Sequence, residues 1–293
     1  MVYRTAIDLD SIEAIDTHVH VEVGEDGHTS LPTALAEAAG KYFRSEGVDL
    51  DLSSIADYYR ARRMVAVVFT VDARTQLGHD PVSSAEIIDR AADHADVLIP
   101  FASVDPRLGA KAIERARELV LGHGAQGFKF HPTLQGFDPS DPAHRPLWAA
   151  IAELHVPVIV HTGQTGIGAG LPGGAGLRLR YSNPMLLDDV AADFPDLTII
   201  LAHPSVPWQD EAISIATHKS NVFIDLSGWS PKYFPPQLVR AADSFLQTKV
   251  LFGSDFPLLT PDRWLRDFAA LDLKDTTRMK ILKDNAARVL GLS

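Results

Sequence analysis

The sequence predicts a closed (β/α)8 barrel (a TIM barrel) built as a single domain, and three observations carry that prediction. Eight short runs rich in β-branched residues recur along the 293 residues, and stretches with helical apolar spacing lie between them. The runs themselves are nearly continuously apolar rather than alternating. Strands apolar on both faces and separated by helices imply a parallel sheet covered on both sides, and eight such units suit a closed barrel.

The strands, in order, are Ala14–His20, Met64–Val71, Val97–Val104, Ala125–His131, Val158–His161, Leu197–His203, Val222–Leu226 and Val250–Ser254. The clearest helices are Ala110–Leu121, Arg145–Leu154, Met185–Phe194, Glu211–His218 and Gln237–Phe245, with apolar residues at i, i+3, i+4 spacing. Pro184 stands at a first-turn position, and Gly122 and Gly124 follow a helix end. Two connections are far longer than the usual βα loop of about 2–6 residues. Val21–Arg62, after the first strand, has helical stretches at Thr33–Ala39 and Ser53–Ala61, and Gly163–Asn183, after the fifth, is glycine-rich. Both belong to the face where barrels build their sites, so they read as lid and substrate-binding elements.

Composition bounds the rest. Apolar residues are 46% and charged residues 22%, the balance of a globular protein. A chain of this size buries roughly three-quarters of its unfolded surface, so one domain over 1–293 needs no staples. With no cysteine, disulfides and thiolate ligands are excluded and any metal must be held by nitrogen and oxygen. A net charge of −11 with no basic stripe argues against nucleic acid. Met1–Asp10 is polar and acidic, without the apolar region of a signal peptide, and the longest apolar runs fall far short of the ~20 residues of a membrane span. The expectation is a soluble, cytoplasmic protein acting on a small molecule. No stretch marks an interface between copies, and a homodimer is the oligomer that base rates favour.

The placement of histidines carries the chemistry. Of twelve, five end apolar strand runs: His18 and His20 in IDTHVH, His131 in GFKFH, His161 in VIVH and His203 in IILAH. The last strand ends in Asp255, in LFGSD. In a parallel barrel these ends open on one rim, so the groups converge. His18 and His20 are two apart and share a face. Singly each signal is weak. HxH is common on sheets, a lone His161 is an ordinary buried histidine, Asp255 fits a turn before Pro257, and His203 before Pro204 fits a structural role. Together they are not: ionisable groups at buried strand ends are costly unless paired or metal-bound.

Three imidazoles and one carboxylate (His18, His20, His161 and Asp255) form a site for one divalent metal. Zn2+ suits it best, with Mn2+, Fe2+ and Co2+ as alternatives. His203 then reads as the acid–base residue, and Asp255 as a ligand that also accepts a proton. Lys129 and His131 share a face of the fourth strand and read as substrate contacts. A carbamylated Lys129 bridging a second metal is the alternative. Arg178 and Arg180, in the long fifth loop, are candidates for gripping a substrate carboxylate.

From DTHVH through GFKFHP, VIVHTG, FPDLTIILAHPS and VLFGSDFP to KDNAARVLGL, the chain resembles the amidohydrolase superfamily. The specific likeness is to the amidohydrolase-related group that includes aminocarboxymuconate-semialdehyde decarboxylase, and it spans nearly the whole chain. The resemblance implies metal ligation by His18, His20, His161 and Asp255 and an acid–base role for His203. The group contains decarboxylases of unsaturated or aromatic acids, hydrolases of lactones and esters, and hydratases. The wider superfamily includes binuclear enzymes with a carboxylated lysine on the fourth strand, where Lys129 lies.

A metal-dependent hydrolase, with activated water attacking a lactone, ester or amide carbonyl of a small carboxylated substrate, is the preferred reading. A non-oxidative decarboxylase is the alternative, since both reactions use the same ligands. A catalytically inactive barrel acting as a binding protein requires a missing ligand position, and none is missing. A phosphoesterase that also opens with HxH requires a basic phosphate cradle that the sequence lacks.

Overall fold

The structure, a computed structural model, describes residues 2–43 and 50–292. Its strands are β1 (Ala14–His20), β2 (Met64–Phe69), β3 (Leu98–Pro100), β4 (Phe128–Phe130), β5 (Val158–His161), β6 (Ile199–Ala202), β7 (Val222–Asp225) and β8 (Val250–Leu251). All pair in parallel, β1 to β3 in one run and β4 to β8 in another. Two bridges close the circle. Ala102 pairs with Phe128 between β3 and β4, and Val19 pairs with Phe256 between the end of β8 and β1. The predicted (β/α)8 barrel is therefore the observed fold.

The strands alternate two ways inside the wall. On β2, Val65, Val67 and Phe69 join an inner cluster with Ile15, Ile99, Ile159, Ile200 and Leu251. Met64, Ala66 and Val68 face outward into the larger cluster under the helices. Both faces are buried, which is why these runs read as continuously apolar. Ile12, Ala286 and Ala287 close the inner cluster from below, with Leu9 and Leu290 packed against it.

Several predicted bounds move. The strand expected at Val97–Val104 pairs only over Leu98–Pro100, and Ala125–His131 only over Phe128–Phe130. Residues beyond them stay buried, and the Ala102–Phe128 bridge continues the pairing past β3. Ala110–Leu121 is helical to Glu118 and continues as a wider turn, Leu119–His123, ended by Gly124 at φ 93°. Met185–Phe194 divides into a 3-10 turn, Pro184–Leu187, and a helix, Asp188–Asp193. Helices also form at Ser84–Ala91 and Pro261–Ala269, beyond those whose spacing was clearest. Part of the Val21–Arg62 excursion, residues 44–49, lies outside the described residues. Within the rest, helices Thr33–Phe43 and Leu52–Arg60 form where helical spacing placed them. Among the described residues, no helix is long and apolar enough to cross a membrane.

A candidate metal centre at the barrel mouth

The site begins with an irregularity in β1. Ile15 belongs to the inner cluster, so simple alternation would send Thr17 and Val19 inward and the two histidines outward. A register shift between Asp16 and Val19 reverses the phase, and Val19 packs outward instead. Such bulges re-aim side chains beside active sites. Asp16 holds this one: its carboxylate accepts from the His18 N–H at 3.1 Å, the Ser254 N–H at 2.8 Å and the Tyr59 hydroxyl at 2.7 Å. Its pKa is pushed up to about 6 by burial, against those hydrogen bonds.

The other strand ends supply the rest. Lys129 points inward between the outward Phe128 and Phe130, and His161 ends β5. By alternation residue 203 would face the helices, since Ala202 faces in. Left-handed backbone at His203 (φ 78°) breaks that pattern, and Asp255 has the same twist (φ 77°). Each costs about 1–3 kcal/mol and persists only because its surroundings hold it, a pattern that clusters at functional sites.

Three expected ligands meet. Donor atoms of His18, His20 and Asp255 lie within 4.8 Å of one another. The two Nε2 atoms are 3.3 Å apart, and Asp255 Oδ1 is 3.2 Å from the first and 3.3 Å from the second. His18 Nδ1 lies 2.6 Å from Asp225 Oδ2, so its hydrogen is spent there and its Nε2 presents a lone pair to the others. Lone pairs facing a carboxylate call for a cation, and this donor set fits a divalent metal.

His161 stands outside that cluster. Its ring stacks on His131, centroids 3.7 Å apart, and its Nδ1 is 2.9 Å from His203 Nε2. Its Nε2 is buried with no hydrogen-bond partner. Lys129 Nζ is 2.7 Å from His18 Nε2.

Burial dominates the electrostatics. It pulls the imidazoles of His18, His131 and His161 well below their ordinary range, with neighbouring cations adding to the effect. His203 is brought down to about 4 by burial and Lys129, against Asp255. Burial draws Lys129 down to about 7, opposed by Asp255 and Asp225. It pushes Asp225 up, opposed by Lys129 and by hydrogen bonds from Ser227. Asp255 is held low in spite of burial, by the His20 hydrogen bond and the charges of His203, His20 and Lys129.

A cavity of about 360 Å3 opens above this floor, and His20, Lys129, His131, His161, His203 and Asp255 all reach it. The two long loops roof it together. Gln164 Nε2 donates to Tyr42 Oη at 3.2 Å, and a Cβ at Gly166 would sit 2.4 Å from the Phe43 ring. Trp229 and Tyr233, after β7, form an opposite wall.

Arg178 and Arg180 do not line it. Both are exposed, and Arg180 lies over its neighbour Tyr181 instead. The 3-10 turn Pro172–Gly176 precedes them, Arg178 caps the turn Leu179–Ser182, and Arg180 lies within it. The guanidinium at the cavity is Arg263, in the first turn of helix Pro261–Ala269. Sequence reasoning also missed Asp16, Asp225 and Ser227. Asp225 carried a usable signal, an acid ending the apolar run VFID. Asp16 and Ser227 carried none, because their roles depend on neighbours from β8 and β1.

The fold has relatives. The chain superposes on an uncharacterised TIM-barrel protein from Bordetella bronchiseptica with a TM-score of 0.76 at 23% identity, covering 95% of this chain and 98% of that one. A dihydroxybenzoic acid decarboxylase from a Polaromonas species, with bound manganese and an inhibitor, gives 0.65 at 17% identity over 96% and 97%. A probable 2-pyrone-4,6-dicarboxylic acid hydrolase from Acinetobacter baumannii gives 0.61 at 14% identity over 96% and 100%. At these identities the likeness establishes the shared barrel. A search of curated proteins returns no match. The sequence profile of the Amidohydrolase family matches residues 15–292, so the chain belongs to that metal-dependent enzyme family.

Proposed function

We propose that this protein is a metal-dependent hydrolase acting on a lactone, ester or amide carbonyl of a small carboxylated substrate. The carrying observation is the floor itself, where His18, His20 and Asp255 turn acceptor atoms toward one point. A divalent cation there would supply Lewis acidity, bringing water to a pKa of about 7 and polarising a carbonyl. His161, with its bare Nε2, is the fourth ligand in this reading. Asp255 and His203 move protons: Asp255 accepts from the attacking water, and neutral His203 shuttles a proton to the leaving group. The apolar walls exclude bulk water, and Arg263 at the mouth takes the carboxylate in place of Arg178 and Arg180, which are exposed and do not line the cavity. Lys129 and His131 stay as floor contacts for the substrate oxygens. Zn2+ is the favoured ion for this nitrogen-rich set.

Turnover of a panel of lactones and unsaturated acids in 18O-labelled water tests the reading. Hydrolysis places one labelled oxygen in the product. Release of CO2 with no label in the organic product overturns it in favour of a decarboxylase. That second reading draws support from the apolar cavity wall, which destabilises a bound carboxylate relative to CO2, and from Lys129 as a buried proton donor. A two-metal variant draws on the same lysine. An amine with its pKa near 7 reacts with CO2 to a carbamate, and metal content of two ions per chain would favour that variant.

A further inference from the structure

Ser227 lies at the crossing of three charged or titratable groups. Its Oγ is 2.9 Å from His18 Nδ1, 3.0 Å from His203 Nδ1 and 2.9 Å from Asp225 Oδ2. All four residues are buried, and two glycines make the crossing possible. A Cβ at Gly228 would stand 2.5 Å from His203 Nδ1, and one at Gly253 would stand 2.2 Å from Asp225 Oδ1.

Hydrogens can be placed on this cluster by elimination. Lys129 and Asp225 attract one another against burial, and the order follows for their ion-paired form: the Lys129 ammonium has only hydrogens to offer, so His18 Nε2, 2.7 Å away, accepts. His18 therefore carries its hydrogen on Nδ1 and gives it to Asp225 Oδ2 at 2.6 Å. Asp225 Oδ1 already accepts from the Ser227 N–H at 2.8 Å. The carboxylate is the strongest acceptor within reach of the Ser227 hydroxyl, so that hydrogen also goes to Oδ2. The opposite choice would leave the serine oxygen and the carboxylate facing each other as acceptors at 2.9 Å. The serine lone pairs then face His203 Nδ1 at 3.0 Å, and the Ser227 backbone accepts from the same ring, so Nδ1 carries a hydrogen. His203 Nε2 is left as an acceptor, and 2.9 Å away His161 Nδ1 must donate to it. The lone pair of His161 falls on Nε2, the buried atom that has no partner.

We infer that Ser227 is the positioning residue that sets the tautomer of His203 and, through it, of His161. One hydroxyl thereby turns two imidazoles so that His203 keeps Nε2 as its proton-accepting atom and His161 offers Nε2 to a ligand. Outer partners of this kind typically govern metal affinity by about 10–100-fold.

The test uses the full chain labelled with 15N-histidine, stripped of metal by chelator, with His203→Gln and His161→Gln variants to assign the resonances. Long-range 1H–15N spectra report which nitrogen of each ring is protonated. The expected result is Nδ1–H at His203 and at His161. In Ser227→Ala, His203 moves to Nε2–H or to a mixture, and Ser227→Thr restores the original pattern. Zn2+ titration by calorimetry forms the second arm, and only this arm rests on the metal reading above: Ser227→Ala weakens binding about 10–100-fold, and Ser227→Thr recovers it. Nε2–H at His203 in the unaltered chain, or a pattern unmoved in folded Ser227→Ala, overturns the inference. Correct tautomers without any Zn2+ binding would instead sink the metal reading and leave the hydrogen order standing.

Discussion

Gly228 shows how little room the floor allows. Its backbone runs at φ 74°, and an added methyl would press on His203. Gly228→Ala is expected to cost about 1–2 kcal/mol from backbone conformation alone, read as a lowered unfolding midpoint. Displacement of His203 should add a loss of activity larger than the stability change explains. Substituting a ligand acts differently: His18→Ala should abolish metal content and activity together while the chain stays folded, as elemental analysis and circular dichroism would record. At this scale the sequence was informative where a residue type was out of place. Histidines and an aspartate ending apolar runs pointed to His18, His20, His161, His203 and Asp255, and all of them line or underlie one cavity floor. Arginine in a loop carried no comparable information, because a solvated guanidinium needs no excuse. Arg178 and Arg180 were accordingly named although they do not line the cavity, and Arg263, which does, went unnoticed.

The elements place these residues by means that a one-dimensional pattern hides. Apolar periodicity found every strand, but it overshot the ladders: Phe101, Ala102 and Val104 are buried although β3 ends at Pro100. The bulge in β1 leaves no trace in the sequence, since it depends on Asp16 finding Ser254 and Tyr59 from elsewhere. Tyr59→Phe removes one of those partners from a buried carboxylate and should cost about 1–3 kcal/mol, measurable by urea unfolding. The rim has its own clasp. Arg62 grips Asp262 through Nε at 2.9 Å and Nη2 at 2.8 Å, tying the first long excursion to helix Pro261–Ala269. The Arg62 hydrogen bond holds the Asp262 carboxyl below its ordinary value. A depressed acid contributes stability above its unfolded pKa and loses it as pH falls through the folded one. Most of the pair is exposed, so the contribution is about 0.2–1 kcal/mol. Asp262→Asn should lower stability by that amount at neutral pH, with the difference from the unaltered chain fading as pH falls through the depressed Asp262 pKa.

The whole molecule is a cylinder sealed at one end and reactive at the other. Ile12, Ala286 and Ala287 plug the bottom, the inner cluster fills the middle, and the donors stand at the top. This division was legible early, because a parallel barrel sends every strand's C-terminal end to the same mouth. The reaction was not, since hydrolysis and decarboxylation can share one set of ligands. Binding of an ion to the folded chain alone stabilises it by mass action, about 2.7 kcal/mol at one hundred times the dissociation constant. Chelator should therefore lower the melting temperature, and Zn2+ should restore it in the unaltered protein but not in His18→Ala.

Anomalous diffraction from crystals grown with Zn2+, collected at the zinc edge, addresses the metal centre most directly. The expected result is a peak about 2.0–2.2 Å from His18 Nε2, His20 Nε2 and an Asp255 oxygen, with His161 Nε2 turned toward it. A map without a peak between those three residues, or with zinc only elsewhere on the surface, would contradict the account.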